Sequence, residues 1–352
     1  MRTPPSILLA LWLVLPMAAP ASAQSCPPAS AAPARVIEID TSAGPLFGDI
    51  TKQQKEPGFL AEKEVVLTFD DGPMPWVTRS ILDTLDKHCA KATFFSVGRM
   101  AAAYPDTVRE ITNRGHTLGG HTWSHPLNLR RLKLEKALDE IERGFAAVAL
   151  ANRDGVAPFF RFPGLSDSAP MLAALQKRGI ATFTVDVVSD DSYIADARRL
   201  AEVTLARIEA RKGGIVLFHD IKPATAKALP TILAELTRRG YSFVHLRAKR
   251  RLEVVPELAT ALAPLVQRNA TAAEGKARLV PFYGTIGPER VAFIEAGEAP
   301  ATTELSPPPR ARVAVEATDG KPHKARDKAS VAGWRPAADR PPGWSAEITP
   351  AR

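Results

Sequence analysis

Seven short apolar runs recur between residues 64 and 246 of the chain. Their length and their content of β-branched and aromatic residues are typical of strands that are buried on both faces. We therefore predict seven strands, at residues 64–69, 92–97, 117–119, 159–162, 182–188, 214–219 and 242–246.

Most segments between these runs carry an apolar residue at every third or fourth position, which indicates amphipathic helices. Glycines at positions 115, 179 and 240 each follow an arginine and are typical helix stops. Alternating strands and helices predict parallel strands with helical crossovers, in a closed or nearly closed barrel. An open doubly wound sheet is the alternative, because periodicity does not show closure. The clearest helical patterns are Val77, Ile81 and Leu85; Leu134, Leu138, Ile141, Phe145 and Val148; and Leu200, Val203 and Ile208.

The N-terminal part of the chain lies outside this alternation. Arg2, an apolar run over residues 7–15 and the small residues up to Ala23 predict a secretory signal peptide at 1–23. The run is short for a membrane span, although an uncleaved anchor is the alternative. We expect an exported protein, periplasmic or secreted, without a membrane span once the signal is removed. Residues 24–63 are predicted to form an arm against the core, with an extended segment at 36–39.

The alternation also fails after Leu252. Residues 253–298 form an extension of uncertain structure, which could hold a helix and one or two strands, for example around residues 279–282. Residues 299–352 are rich in Pro, Ala and charged residues and lack the apolar periodicity of a core. We predict that they form a disordered tail.

The charge of the chain is strongly basic. It has 352 residues, with 46 Lys+Arg against 38 Asp+Glu and a net charge of +8. The basic residues form no compact run with interleaved aromatics, so no nucleic-acid partner is predicted. A weak attraction to an anionic surface of the cell envelope remains open.

The chain has only two cysteines, Cys26 and Cys89. In an oxidising compartment they could form a disulfide, and two unpaired cysteines are the alternative. No cysteine cluster indicates a structural zinc site.

Two adjacent carboxylates, Asp70 and Asp71, stand at the end of the first predicted strand. Gly72 and Pro73 then force a turn. Neighbouring acids at a strand end repel each other and lose solvation, so a metal ion or a catalytic proton would explain them. An exposed acidic turn is the plainer alternative.

Two histidines, His121 and His125, follow the third predicted strand on the same side of the sheet as the two acids. Their spacing of four predicts one face of a helical turn, from which both could bind one metal ion. With one carboxylate they would make three protein ligands and leave an open place. That composition is typical of a catalytic zinc rather than a structural one.

Polar groups also end the next three predicted strands. Arg161 ends the fourth, Asp190 and Asp191 follow the fifth, and His219 ends the sixth. A guanidinium can hold a nearby acid ionised and oriented. A histidine at the end of an apolar strand is partly desolvated, and a nearby acid would raise its pKa and keep it protonated. His219 is therefore a candidate general acid, with an ordinary core histidine as the alternative.

In this order and spacing, the polar groups resemble the five motifs of the polysaccharide deacetylase family of carbohydrate esterases, also called the NodB-homology family. The resemblance covers about residues 64–246. It implies a catalytic domain over 64–252, a distorted (β/α)7 barrel with parallel strands, and a divalent metal, usually Zn²⁺. The motifs are Thr68-Phe69-Asp70-Asp71-Gly72, His121-Thr122-Trp123-Ser124-His125, Arg161-Phe162-Pro163-Gly164, the Asp190-Asp191 region, and Leu217-Phe218-His219-Asp220.

The resemblance also implies the role of each residue. Asp71, His121 and His125 would bind the metal. Asp70 would be the general base that takes a proton from the attacking water, and Arg161 would orient it.

On the other side of the site, His219 would protonate the leaving nitrogen, and the motif alignment favours Asp191 over Asp190 as the residue that tunes it. Gly164, through its backbone N–H, and Leu217 would contact the oxyanion or the substrate. Two positions depart from the family pattern. Ser192 stands where the family commonly has Trp, and Gly164 stands where an aromatic residue is frequent.

The implied reaction is removal of N-acetyl groups from a polysaccharide that contains N-acetylhexosamine, such as peptidoglycan, a chitin-like oligomer or an exopolysaccharide. His219 favours an amide substrate, because an amine must be protonated to leave whereas an alkoxide leaves more readily. The alternatives are a carbohydrate O-acetyl esterase with the same site and a catalytically silent glycan-binding protein of the envelope.

Overall fold

The computed structural model describes residues 35–49, 56 and 58–271, and further along the backbone of two short strands. The described residues all fall within one compact unit, Met1–Ala299. The predicted signal peptide at 1–23, Cys26 and the predicted tail at 299–352 lie outside the described residues. Cys89 is disulfide-bonded.

Strands and helices alternate through most of the described chain. The strands are β1 (Arg35–Ile39), β2 (Leu46–Phe47), β3 (Glu64–Asp70), β4 (Ala92–Ser96), β5 (Thr117–Gly120), β6 (Phe159–Phe160), β7 (Ala181–Phe183), β8 (Val187–Val188), β9 (Gly214–His219), β10 (Ser242–Ala248), β11 (Leu279–Pro281) and β12 (Phe293–Glu295). The helices are α1 (Pro75–Lys87), α2 (Gly98–Ala103), α3 (Pro105–Asn113), α4 (Leu134–Asn152), α5 (Ala169–Lys177), α6 (Ala197–Arg211), α7 (Pro223–Arg238) and α8 (Pro256–Thr271).

The main sheet is parallel, and every predicted strand position contains a strand. Its order is β1-β10-β3-β4-β5-β6-β7-β2, and β9 pairs with both β3 and β8. The alternation of strands with helices therefore gives the parallel α/β architecture that was predicted, with the distortion of a (β/α)7 barrel. The sheet is not closed, because among the described strands β7 pairs with β6 and β2 but not with β8.

The fifth predicted strand, at residues 182–188, is in fact two strands. The edge of β7 is occupied by β2, and the Thr184 N–H donates to the Phe47 carbonyl at 2.8 Å. The chain then turns towards β9, where the Asp186 N–H donates to the Ile215 carbonyl at 2.9 Å. The N-terminal segment thus fills the gap at which the barrel fails to close.

The predicted extended segment at 36–39 forms most of β1. This strand pairs in parallel with β10 along its whole length, from Arg35 opposite Val244 to Ile39 opposite Ala248. Both strands that precede residue 50 are therefore part of the main sheet.

The two faces of the sheet have different partners. One face, which includes Leu67, Phe69 and Phe218, packs against the surrounding helices. The other face forms a separate interior cluster that includes Val66 and Leu217. Because strand side chains alternate, Asp70 shares the interior face with Val66, His219 shares it with Leu217, and Arg161 shares it with Phe159. These polar side chains therefore converge inside the barrel, at the carboxyl ends of its strands.

The extension after Leu252 contains α8 and the antiparallel pair β11 and β12. This agrees with the prediction of a helix and one or two strands there. Leu262 of α8 packs against Ala146 and Ala147 of α4. In the part of the chain that the structure describes, no helix has the length and apolar character needed to span a membrane.

The contact between β2 and β7 can be tested at Gly48. Gly48 has φ +89°, and a Cβ there would lie 2.5 Å from the carbonyl carbon of Thr184. Gly58 also has positive φ, +66°, but a Cβ there would meet nothing within 4 Å. Both Gly→Ala variants are strained, so the difference between them isolates the clash. We expect Gly48→Ala to lower the free energy of unfolding in urea by about 1–3 kcal/mol more than Gly58→Ala. Equal losses would contradict this packing.

Candidate active site

Three potential metal ligands meet where β3 and β5 end. His125 Nε2 lies 3.1 Å, and His121 Nε2 3.4 Å, from the same oxygen of Asp71, Oδ1. The potential ligand atoms all lie within 4.8 Å of one another. The structure thus brings together the three residues that were predicted to bind a metal.

The state of these three side chains fits a divalent cation. Asp71 Oδ1 is buried and accepts no hydrogen bond from a described residue, which is costly for a carboxylate unless a cation compensates it. His121 Nδ1 lies 2.7 Å from the Arg161 carbonyl; a carbonyl only accepts, so Nδ1 carries the proton and Nε2 presents its lone pair. Burial lowers the pKa of His125, although Asp71 opposes the shift, which favours the neutral ring that a metal requires.

The two histidines do not lie on a helical turn, so that prediction was wrong. Residues 121–125 form an irregular loop, with φ 66° at Thr122 and 58° at His125. The loop is held by hydrogen bonds to neighbouring helices: the Thr122 carbonyl accepts from the Gly98 N–H, and the Trp123 N–H donates to the Glu140 carbonyl. Helices α2 and α4 thus hold the loop in a conformation that ordinary residues rarely adopt.

Arg161 holds Asp70 in place inside the barrel. Its Nη1 donates to Asp70 Oδ1 at 2.7 Å and to Thr68 Oγ1 at 2.8 Å. Its Cζ lies over the ring of Phe95, 4.4 Å from the ring centroid. Both charged side chains are buried, so they interact in a medium of low dielectric. Burial lowers the pKa of Arg161, and Asp70 opposes that shift.

The second oxygen of Asp70 faces the metal ligands. Asp70 Oδ2 lies 3.9 Å from His121 Nε2. One oxygen of this carboxylate is therefore fixed by Arg161, and the other is presented to the cluster.

On the opposite side of the cluster, Asp191 holds His219. Asp191 Oδ1 lies 2.6 Å from His219 Nδ1, and its Oδ2 accepts from the His219 backbone N–H and from Thr225 Oγ1. Burial alone would lower the pKa of His219, but Asp191 outweighs it and raises the pKa to about 9. His219 Nε2 lies 4.0 Å from Asp71 Oδ2, so a protonated imidazole faces the cluster at neutral pH.

The choice between the two neighbouring acids follows from their contacts. Asp190 pairs with Arg207 of α6 at 2.5 Å, away from His219. Asp191 is buried and makes the contacts to His219 described above. The geometry therefore favours Asp191 as the partner of His219, as the motif alignment did.

The predicted substrate residues lie on the rim and inner wall. Gly164 is exposed in a short 3-10 turn, Pro163–Leu165, after β6. A Cβ at Gly164 would lie 3.6 Å from Leu127 Cδ2, so an aliphatic side chain stands beside the position where an aromatic residue was missing. Leu217 is buried on β9, with its Cα opposite Thr68. Their roles in binding remain predictions.

Asp220 also supports the site, and it received no role from the sequence. Its carboxylate accepts from the Gly72 N–H at 2.9 Å and from Thr78 Oγ1 at 2.7 Å, which fixes the turn directly after Asp71. A Cβ at Gly72 would lie 2.0 Å from Asp220 Oδ2, so only glycine allows this approach. Burial, with a contribution from Asp71, raises the pKa of Asp220 to about 7. Its position after an apolar strand was the available signal.

Metal content tests the cluster. We expect the unaltered chain to retain stoichiometric zinc after dialysis, and Asp71→Ala and His125→Ala to lose it, because each variant removes one of three ligands. Zinc is measured by mass spectrometry. His88→Ala is the matched control, because His88 follows α1 outside the cluster. Retention of zinc by Asp71→Ala at the level of the control would contradict the site.

Comparison with known proteins supports the family that the sequence motifs resemble. The family model for polysaccharide deacetylase matches residues 59–183. A solved peptidoglycan deacetylase of Bdellovibrio bacteriovorus shares 34% sequence identity at a TM-score of 0.55, over 61% of this chain and 59% of that one.

Two curated relatives differ in how much of them is matched. A peptidoglycan-N-acetylglucosamine deacetylase of Listeria monocytogenes is 33% identical over 193 residues, which are 55% of this chain but only 40% of the relative. A chitooligosaccharide deacetylase of Bradyrhizobium is 32% identical over 193 residues, which are 51% of this chain and 87% of the relative. From the coverage and identity of this last match, together with the family model, the chain belongs to the polysaccharide deacetylase family.

Proposed function

We propose that the chain is an exported hydrolase that uses a divalent metal, zinc in the first instance, to remove N-acetyl groups from an N-acetylhexosamine glycan of the cell wall. The observation that carries this proposal is the orphaned oxygen of Asp71 between two imidazoles, with Asp70 on one side and His219 on the other. Relatives named as peptidoglycan and chitooligosaccharide deacetylases support the class of glycan.

Hydrolysis of an amide needs an activated water and a protonated leaving group. A divalent ion held by Asp71, His121 and His125 would polarise the acetyl carbonyl and lower the pKa of water. Two imidazoles and a carboxylate suit zinc, which accepts nitrogen and oxygen ligands and keeps an open position in catalytic sites.

Asp70 acts as the general base. Arg161 binds its Oδ1 and orients the carboxylate, which leaves Oδ2 to take the proton of the attacking water. Oδ2 lies 3.9 Å from His121 Nε2, one of the proposed metal ligands, and this distance supports the role of Asp70.

His219 acts as the general acid. Its Nδ1–H is held by Asp191, so Nε2–H is the proton that it can give to the departing nitrogen. Asp191 keeps this acid protonated, and Arg161 fixes the orientation of the base. Because an amine needs this proton more than an alkoxide does, we favour N-acetyl over O-acetyl substrates.

Three exposed apolar side chains follow strands whose ends carry site residues, and we expect them to contact the sugar rings. Among the described residues, the most exposed large hydrophobic side chains are Tyr193 (76%), Leu127 (70%) and Trp76 (60%). They follow β8, β5 and β3 respectively, the strands whose ends carry site residues. Exposed apolar surface can mark a ligand-binding groove. Gly164 and Leu217 would contact the acetyl group between them.

Acetate release tests the proposed activity. We expect release from N-acetylglucosamine oligomers and peptidoglycan to exceed release from acetylated xylan, and to stop after chelation. Asp70→Asn should lower kcat by about 10²–10⁴, because it removes the base. Asp83→Asn is the control, since Asp83 is exposed on α1 and pairs with Arg114 alone among the described residues. Undiminished release after Asp70→Asn and chelation would overturn the metal-dependent mechanism, and preference for xylan would overturn the N-acetyl assignment.

The pH profile tests the pairing of Asp191 with His219. Activity requires protonated His219, so it falls as pH rises through the pKa of that residue. Asp191→Asn removes the negative charge that raises this pKa, and the alkaline limb should therefore move to lower pH. Asp190→Asn is the matched control, because Asp190 pairs with Arg207. Coincident alkaline limbs in the two variants would contradict the role of Asp191.

A further inference from the structure

A cavity of about 550 Å³ opens at the end of the sheet opposite the candidate active site. Strand β5 runs from the cavity to the candidate active site. His116 precedes this strand and lines the cavity, whereas His121 follows it and lies among the potential metal ligands. The walls come from the chain before β4, β5 and β6 and from the end of β10 with the residues after it. This volume lies within the range of about 300–1,000 Å³ that is typical of small-molecule sites.

The walls of the cavity are strongly basic. Lys91, Arg247, Arg250 and Arg251 all line it, and Asp154 is the single acid among the described lining residues. Low-dielectric walls with one sign of charge raise the local concentration of the opposite ion. The cavity therefore favours an anionic occupant.

Two of these cations are already engaged. Lys91 Nζ donates to the Arg114 carbonyl at 2.7 Å, and Arg250 donates to the Gly179 carbonyl at 2.6 Å. These contacts fix their positions at the edge of the cavity, and they contribute mainly to its positive potential.

The other two cations, Arg247 and Arg251, form no hydrogen bond or ion pair with a residue that the structure describes. The stem of Arg251 lies against Gly155, where a Cβ would stand 3.3 Å from Arg251 Cδ. The arginine is thus placed on the wall by packing, with its guanidinium uncommitted. A planar fork of this kind binds phosphate or carboxylate oxygens through two parallel hydrogen bonds.

His116 adds a buried donor to the lining of the cavity. Its Nδ1 accepts from the Ala92 N–H at 3.1 Å, so the neutral ring carries its proton on Nε2. That Nε2 is buried and has no hydrogen-bond partner among the residues that the structure describes. Burial, and then the charge of Lys91, lowers the pKa of His116 to about 3, so the ring stays neutral. A buried donor without a partner is uncommon in folded proteins.

In contrast to His116, His245 uses its Nε2 in a hydrogen bond. Thr117 Oγ1 gives its one proton to the Leu246 carbonyl at 2.6 Å, so His245 Nε2 must donate to that hydroxyl, at 3.0 Å. Burial, and then Arg247, lowers the pKa of His245 to about 4. The positive charge of the cavity therefore comes from its lysine and arginines.

We propose that this cavity binds a phosphate-bearing small molecule, with the guanidinium groups of Arg247 and Arg251 on the phosphate oxygens and His116 Nε2–H as a further donor. A phosphate group fits better than a carboxylate, because two guanidinium groups and one imidazole N–H make three donor groups, and phosphate presents at least three acceptor oxygens whereas a carboxylate presents two. Since the cavity is larger than a single phosphate needs, the group belongs to a larger molecule. This site is separate from the proposed deacetylase chemistry.

Titration calorimetry with inorganic phosphate on the full chain tests the proposal. We expect saturable binding at low ionic strength that weakens about tenfold in Arg247→Gln and in Arg251→Gln, because each loses a charge-assisted hydrogen bond. Arg198→Gln is the matched control, since the Arg198 side chain is 89% exposed on α6 and, in the described part of the chain, pairs with Glu202 alone. Absence of saturable binding, or equal affinity in all three variants, would overturn the proposal.

A measurement at His116 tests the site without any variant. In the unaltered chain, the ¹⁵N resonance of His116 Nε2 should shift with phosphate along the same saturation curve. Formate at the same concentration should shift it less. An unmoved resonance would remove His116 from the site, and an equal response to formate would overturn the preference for phosphate.

Discussion

The candidate active site depends on one buried guanidinium. The side chain of Arg161 holds Asp70, and its backbone carbonyl accepts from His121 Nδ1, so one residue orients both the proposed base and a proposed metal ligand. Its NH2 group also donates to the carbonyl of Thr184, where β7 and β8 separate. Loss of either member of the Arg161–Asp70 pair would leave a buried charge unpaired, at a cost of about 3–5 kcal/mol. Arg161 therefore stabilises both the break in the barrel and the geometry of the site.

The two sides of the site are held by neighbours of opposite charge. Arg161 forms a buried ion pair with Asp70, whereas Asp191 favours the protonated form of His219. The two residues are direct register partners on adjacent parallel strands, β3 and β9. Sheet pairing thus sets the separation of the proposed base and the proposed acid, and the potential metal ligands Asp71, His121 and His125 lie beside that pair.

Much of this arrangement was predictable from the chain. Strand positions follow from apolar runs, and side-chain alternation then places Asp70, Arg161 and His219 on one face. Contacts that depend on distant segments were not predictable. The split of 182–188 requires β2, since Thr184 bonds Phe47 across 137 positions.

The other features that the sequence did not predict also depend on contacts with distant segments. The His121–His125 loop is held by α2 and α4, so the spacing of its histidines suggested a helix that its surroundings do not permit. Asp220 gains its role only from the Gly72 turn of a neighbouring strand. The local pattern of apolar residues determines which helices and strands form, whereas contacts with distant segments determine where they end.

The claim on which the account rests is that a metal ion satisfies the orphaned oxygen of Asp71. Anomalous diffraction at the zinc edge, from crystals of the zinc-loaded protein, tests it most directly. The account predicts one strong peak about 2.0–2.2 Å from Asp71 Oδ1, His121 Nε2 and His125 Nε2, with Asp70 outside bonding distance. A zinc-loaded crystal without a peak at these atoms, or with Asp70 as a ligand in place of Asp71, would contradict it.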